Sequence, residues 1–567
     1  MNIDPPFKRL IMALNLTWAL LPWPGFAADG DHLNVQEPQR PSYLPAKQGE
    51  SFNLPPVTPS KPAKPETLGE TVVIRQIAFR GNRIVQTDEL ISIASGYLGR
   101  PLGINDLEEL RQKVTKHFVD VGYVNSGAVL GKDAIVDDTL SFDIVEGQLT
   151  SIRLRGLERL NEAYVANRLV KDSDLALNID VLRERFQLLL DNPLFERMNA
   201  RLMPGDRFGE ASLDIDVVRA RPYQLSVFAN NYRPPSIGAN ASGVSGWVRN
   251  LTGFGDMLEA SVQDSTNAQG GGRYSLGWRM PINQAGTQLT LQLDRGRSSI
   301  IEQPMQTLDI KSILDSKDFG LSQIFFENLR HKLTLGLNAV QRENRTTLLG
   351  TPFSFTAGEP DGLTKVNAWR FWQEYSHRSE KQVLALRSTF SFARNNTQQI
   401  TGMPGTALQP DNKYRFWLGQ VQFGRQLLDN GAQVVLRAST QQTRHTLVPL
   451  DRMAFGGVFT VRGYRENQMI RDSGSIFNAE FDYPLVRNAG SGLNLSLIPF
   501  YDYGRGKNVG EEAETLSSAG LASRLRWKGF NLDLVFAKRL DHPITVTSNG
   551  RTLQDHAVHI QMAYDFF

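Results

Sequence analysis

The chain has no cysteine among its 567 residues. A disulfide framework, a Cys-ligated zinc or iron–sulfur cluster and a thiol nucleophile are therefore excluded. It also has no G-x-S-x-G elbow, no H-E-x-x-H pair and no P-loop, and its eight histidines are scattered. Enzymatic activity is not expected, and neither is a cofactor or a metal. No single sign of charge dominates, with 62 Lys and Arg against 59 Asp and Glu. Without a broad basic surface, nucleic acid is not an expected partner. Beyond the first thirty residues no stretch reaches the ~20 consecutive apolar residues of a transmembrane helix. A chain of this kind that spans a membrane must do so as a barrel.

At the amino terminus Lys8 and Arg9 precede the apolar run Leu10 to Leu21, followed by Pro22, Pro24 and the small pair Ala27 and Ala28. The run is too short and too interrupted for an anchor. Residues 1–27 read as a secretory signal peptide. Residues 28–70 form a proline-rich segment and linker, with eight prolines from Pro38 to Pro65 and little apolar content. That composition favours an extended, solvated spacer.

From Thr71 the pattern becomes α+β. A strand is expected over Val72 to Phe79, then a short helix from Thr87 and a longer one opening at Asn105, with Glu108 three residues on at capping-box spacing. Leu107, Leu110, Val114, Phe118 and Val121 make one helical stripe, and Thr139 to Val145 alternates as a strand. The same order then recurs with Gly156 matching Gly81, Leu182, Phe186 and Leu189 forming the next stripe, and Ile215 matching Phe142. Two tandem β-α-α-β-β modules are expected, over 71–147 and 148–220.

From 221 to 567 the helical stripes give way to period-two alternation. Leu289, Leu291 and Leu293 alternate with polar residues, as do Leu333, Leu335 and Leu337, and Phe530, Leu532 and Leu534. A soluble sandwich shares this pattern. The signal peptide, the number of such segments and a last strand with Val558, Ile560, Met562, Tyr564 and Phe566 on one face favour an outer-membrane barrel. The length accommodates roughly 14 to 18 strands, and about 16 is expected. A barrel that wide encloses an aqueous lumen.

The connection between the strands around Gln433 to Ser439 and Ile476 to Leu485 is longer than an idle loop, and it holds Val461, Arg462, Gly463 and Tyr464. Unbroken alternation after Leu493, Leu495 and Leu497 places Phe500, Asp502 and Gly504 on the lumenal face. A lumenal carboxylate is a natural partner for an arginine on a loop folded into the pore.

With these residues in view the chain resembles the outer-membrane transporters of two-partner secretion, the TpsB family. The resemblance rests on two modules similar to POTRA domains, on Asn250 to Asp256 at the first barrel hairpin, on Val461 to Tyr464, on Glu480 followed by Pro484, and on Phe500 to Gly504. It implies a 16-stranded barrel whose loop around 445–473 folds inward, with Arg462 meeting the face of Phe500 and Asp502. It also implies POTRA domains that capture an unfolded secreted partner in the periplasm, by edge-strand addition, and feed it through the pore. A large exoprotein (haemolysin, adhesin or contact-dependent toxin), outer-membrane lipid and a monomeric working unit are the expected partners and state. A barrel-assembly insertase and a passive porin-like channel are the alternatives. Two departures from the family pattern stand out: Asp29 to Ser51 lacks an amphipathic repeat for a plug helix, and the terminal aromatic alternation falls on Phe566 rather than Phe567.

Overall fold

The computed structural model describes residues 42–44, 52–53, 71–171, 176–267, 269–398, 409–488, 490–541 and 552–566. The signal peptide, most of the linker and Phe567 lie outside the described residues, as does nearly all of the segment where a plug helix would fall. The chain divides into two compact units, Lys47–Pro222 and a second formed by Met1–Ala46 with Tyr223–Phe567.

The first unit contains the two modules. In the first, strand Gln76–Arg80 runs parallel to Thr139–Val145, which pairs antiparallel with Gly127–Val136. In the second, Gln148–Arg155 is parallel to Glu210–Arg219, which pairs antiparallel with Phe195–Pro204. The repeat is physical as well as sequential. Gly81 (φ 85°) and Gly156 (φ 80°) each end the first strand in the left-handed region. A Cβ there would lie 2.9 Å from the Ile144 carbonyl oxygen and 2.1 Å from that of Val217, so only glycine fits either corner.

Leu110, Val114 and Phe118 are fully buried on helix Ile104–Asp120, and Leu182, Phe186 and Leu189 are buried on helix Ile179–Leu190. Three expectations change in detail. The strand over Val72 to Phe79 is broken into Val72–Val73 and Gln76–Arg80. The longer helix of the first module opens one residue early, because Gly103 is the cap and Asp106 accepts its N–H at 2.9 Å, while Glu108 pairs with Arg111. Val121 follows the last helical turn and is exposed.

The linker is not purely a solvated spacer. Phe52–Asn53 adds in parallel to Ala200–Arg201, at an otherwise open edge of the second module's sheet. An extended chain needs little further ordering to supply the missing backbone partners of such an edge. In the other unit, Tyr43 donates its hydroxyl to Gln433 Oε1 at 2.8 Å and the Leu44 N–H reaches the Ser379 carbonyl at 3.1 Å.

Residues from Tyr223 onward form a closed 16-stranded antiparallel barrel. Its first strands are β1 (Tyr223–Asn230), β2 (Ala241–Arg249), β3 (Met257–Ser265), β4 (Gly272–Pro281), β5 (Thr287–Ser299) and β6 (Lys311–Glu327). The next are β7 (His331–Leu348), β8 (Leu363–Arg378), β9 (Gln382–Asn395), β10 (Lys413–Gln426) and β11 (Gln433–Gln442). The last five are β12 (Ser473–Asn488), β13 (Leu493–Lys507), β14 (Glu514–Trp527), β15 (Phe530–Arg539) and β16 (Val558–Asp565), which closes on β1 from Ser226↔Asp565 to Asn230↔Gln561.

Short turns lie at the end where the chain enters β1, and long connections lie at the far end. The Asn250 to Asp256 motif forms the turn between β2 and β3, one hairpin later than the sequence placed it, because Tyr223–Asn230 is already a barrel strand. Buried Asp256 accepts from Thr252 N at 2.9 Å and Thr252 Oγ1 at 2.6 Å, and Asn250 Oδ1 accepts from Gly255 N at 3.0 Å. Outward positions are apolar: Leu291, Leu293 and Leu337 are exposed, as are Phe326, Tyr483, Trp527, Tyr564 and Phe566 near the entry end and Trp369 and Phe392 towards the far end. This is the aromatic-girdled wall of a transmembrane barrel. The inward set is polar and charged, and it includes Gln292, Asp318, Arg342, Arg370, Asn478 and Asp502, all buried. No helix of the described residues is long and apolar enough to cross a membrane.

Candidate functional site: a loop docked inside the barrel

The connection between β11 and β12, residues 443–472, fills part of the lumen. Its limbs pair as a small hairpin, Met453–Phe455 with Met469–Arg471. Arg452 Nε and the Leu447 N–H both donate to Asp472 Oδ1, at 2.9 and 3.0 Å, tying the two limbs at the base.

At the tip, Arg462 meets Asp502, which alternation places on the lumenal face. The pair is bidentate, Nε to Oδ2 and Nη2 to Oδ1, both at 2.7 Å, and the Arg462 N–H adds a third bond at 3.0 Å. The guanidinium lies 3.6 Å from the Phe500 ring centroid, a cation–π contact. Its remaining Nη1 donates to Glu480 Oε1 at 2.7 Å. Glu480 in turn pairs with Arg437, and Asn478 Nδ2 bridges Asp502 Oδ1 at 2.8 Å and the Thr460 carbonyl at 2.6 Å. Two carboxylates thus face two guanidinium groups, so the buried network is close to neutral. Paired and hydrogen-bonded charges can remain in such a place, whereas an orphan could not.

The other motif residues each have a physical role. Val461 is fully buried, and a Cβ on Gly504 would lie 2.8 Å from its Cγ2 and 2.9 Å from Phe455 Cδ1. Gly504 is therefore the gap that admits the loop. Gly463 (φ 88°) donates its N–H to His559 Nε2 at 3.1 Å, and its carbonyl accepts from Arg539 Nε at 2.6 Å. Tyr464 is fully buried and donates to the Ser517 carbonyl at 2.9 Å. Replacing Gly504 with Ala is expected to lift the tip and raise the resting ion conductance of the reconstituted barrel several-fold. Wild-type conductance in planar-bilayer recordings would refute the steric role.

Sequence reasoning brought Arg462 to Asp502 but missed the rest of the network. Glu480 was visible only as a motif residue, although its place in the same period-two frame as Asn478 marked it as lumenal. Beyond the tip, Arg465 pairs with Asp555 at 2.5 Å and Glu302 at 2.9 Å, joining the loop to two other far-end connections.

A second anchor had no sequence signal at all. Asp451 Oδ1 accepts from Arg342 and Arg370, each at 3.2 Å, and its Oδ2 accepts from Tyr414 at 2.6 Å. Leu447, Val448 and Leu450 sit in one buried cluster with Val340, Val366, Ala368, Ala393 and Phe416. The first limb of the loop is thus embedded in an apolar core on the β7 to β10 wall, while the tip is held by charge on the β12 and β13 wall.

Glu466, on the loop and outside the spanning strands, accepts from the Val458 N–H at 2.7 Å. Burial pushes its carboxyl up to about 8. Among the described residues no group of three or more His, Asp or Glu is arranged to hold a metal.

Comparison with known proteins agrees with this architecture. Residues 209–527 match the family described as haemolysin secretion/activation protein ShlB/FhaC/HecB, and residues 72–147 match the ShlB-type POTRA domain. The heme/hemopexin transporter protein HuxB of Haemophilus influenzae (strain 86-028NP) is 25% identical over 510 residues, covering 84% of each chain. The outer membrane transporter CdiB of Dickeya dadantii (strain 3937) is 20% identical over 470 residues, covering 81% of each. The CdiB structure from Escherichia coli superposes with a TM-score of 0.67 at 19% identity, over 90% of this chain and 93% of that one. That from Acinetobacter baumannii gives 0.62 at 14% identity, over 99% and 97%. The chain belongs to the ShlB/FhaC/HecB family of haemolysin secretion/activation proteins: it is an outer-membrane transporter of two-partner secretion, with its POTRA region in the periplasm.

Proposed function

We propose that this transporter exports one dedicated large exoprotein, of the haemolysin, adhesin or contact-dependent toxin class, and that the loop carrying Arg462 is the lock on its path. Both modules, 71–147 and 148–220, act as POTRA domains that hold the unfolded client. An open sheet edge such as Gly127–Val136 offers backbone hydrogen bonds that make little sequence demand. The observation that carries the reading is the loop itself. Its tip is held in the lumen by apolar packing and by a nearly neutral network of paired charges, whose hydrogen bonds water can replace. Docked and released arrangements of one element are what a gate needs. A single chain is the working unit, since the barrel closes on itself.

Export needs no nucleotide, because folding of the client outside the cell makes transit one-way. The test is a quantitative proteome of medium, cell surface and outer membrane with and without the gene. Loss of one or a few large secreted proteins is expected. A general fall in outer-membrane barrels would indicate an insertase, and no change in any fraction would indicate a passive channel.

The lock carries a pH dependence through Glu466. Its docked pKa, about 8, lies above the ordinary 4.5, so the docked loop holds a proton that the released loop gives up. Docking is strongest below the ordinary value and weakens as pH rises towards the docked one. Resting conductance is expected to rise between pH 5 and 8, and Glu466→Gln to flatten that rise. A profile unchanged by Glu466→Gln would overturn this assignment.

A further inference from the structure

The membrane-facing wall carries an open hollow. On strands β9 to β12 the outward positions Ser388, Gly419, Ala438 and Ser475 are all small, and they floor a cavity of about 530 Å³. Tyr375, Leu386, Trp417 and Phe477 stand around it. Gly419 makes the depth possible, since a Cβ there would lie 2.6 Å from the Trp417 ring.

The hydroxyls and the indole of this floor are already partnered within the protein. Trp417 Nε1 donates to Ser388 Oγ at 3.0 Å, Ser475 Oγ to Thr440 Oγ1 at 2.9 Å, and Thr440 Oγ1 to the Gly474 carbonyl at 3.3 Å. Apart from the Gln373 amide in its lining, the cavity therefore offers carbon rather than hydrogen-bonding sites. A hollow of that kind does not hold water, and in a bilayer the available filler is hydrocarbon. Its volume falls in the range of about 300–1,000 Å³ typical of small-ligand sites.

The hollow runs from Leu333 and Tyr375, near the periplasmic ends of β7 and β8, up to Gly419 midway along β10. At its lower mouth His331 and His377 pair across β7 and β8 on the same outward face, with ring centroids 4.6 Å apart. His331 Nδ1 lies 2.7 Å from the Tyr375 hydroxyl. These groups sit at the level of the aromatic girdle, where lipid headgroups lie.

We propose that this groove binds one phospholipid of the periplasmic leaflet, with an acyl chain laid against Gly419 and Ala438 and the phosphate at His331, His377 and Tyr375. A continuous path from a polar mouth at headgroup height to an apolar floor at mid-membrane fits a lipid of that leaflet. The strands involved carry Arg370, Tyr414, Arg437 and Glu480 on their lumenal side, so the lipid braces the wall on which the loop is docked. The inference depends on the placement in the outer membrane and not on the identity of the cargo.

The test uses the full-length transporter, extracted and stripped with detergent, then examined by native mass spectrometry with added phosphatidylethanolamine or diacylglycerol. The wild type is expected to retain one phosphatidylethanolamine and to prefer it over diacylglycerol. Ala438→Leu and, separately, Ser475→Leu fill the groove from outward positions and are expected to lower retention at least tenfold. His331→Ala with His377→Ala is expected to remove the preference for the phosphate-bearing lipid. Equal retention by the filled variants, each shown folded by its heat-dependent gel migration, would overturn the site. So would a wild-type dimer that Ala438→Leu dissociates, which would make the groove a contact between two copies.

Discussion

Asp502→Asn and Arg462→Ala are each expected to reduce export of the cognate exoprotein at least tenfold and to raise the resting conductance of the empty barrel. Asp502 is fully buried and accepts four hydrogen bonds, two from the Arg462 guanidinium, one from its backbone N–H and one from Asn478. Removing one partner of such a pair leaves the other charge in a site built for a partner, at a cost of about 3–5 kcal/mol. That cost changes the ratio of docked to released loop by more than about a hundredfold. Removing both charges leaves less unbalanced, so the double variant is expected to lose less than the two single losses combined. Glu480 refines this expectation. With Asp502 gone, Arg462 still meets Glu480, so Asp502→Asn should be milder than Arg462→Ala, which orphans Asp502 and leaves Glu480 with Arg437 alone. Fully additive losses in the Arg462 and Asp502 cycle, measured as secreted exoprotein per transporter, would sink the pairing as the lock.

The second large effect separates the two ends of the loop. The first limb is sealed into the apolar cluster of Val448 and Ala393 and pinned by Asp451, whereas the tip is held by ion pairs and by the cluster of Val461 and Leu516. Apolar burial is not replaced by water on release, but charge-assisted hydrogen bonds are. Both ends combine the two, but charge-assisted bonds carry more of the hold at the tip, so the tip is expected to leave while the base stays. Because the chain has no cysteine, paired thiols can be placed without interference. Bridging Val461→Cys to Leu516→Cys with a short cleavable reagent is expected to abolish export and cleavage to restore it. Bridging Val448→Cys to Ala393→Cys should leave more than half. Equal loss from both bridges would show that the whole loop must leave.

Legibility in the sequence followed the range of the interaction involved. The paired modules were readable because Gly81 and Gly156 are both forced by a neighbouring strand, and because helical stripes such as Leu182, Phe186 and Leu189 record burial directly. The inward face of Asp502 was readable because strict alternation along β13 assigns each residue a face, whereas the insertion that brings Arg462 to it followed from the family resemblance. The cap at Gly103 was misplaced by a local rule, since Asp106 and Glu108 offer competing carboxylates and only the path of the preceding chain decides between them.

The covalent chain alone determined that the barrel exists, which way its residues face, that Asp502 is an inward carboxylate and that no thiol chemistry occurs. Each of these follows from periodicity or composition, which a linear string carries intact. Only the tertiary structure decided that Glu480 and Arg437 complete the charge balance, that Asp451 meets Arg342, Arg370 and Tyr414, and that Phe52–Asn53 closes a sheet edge. Those contacts join strands far apart in the chain. Their partners are set by register and barrel closure, quantities that no short stretch of sequence encodes.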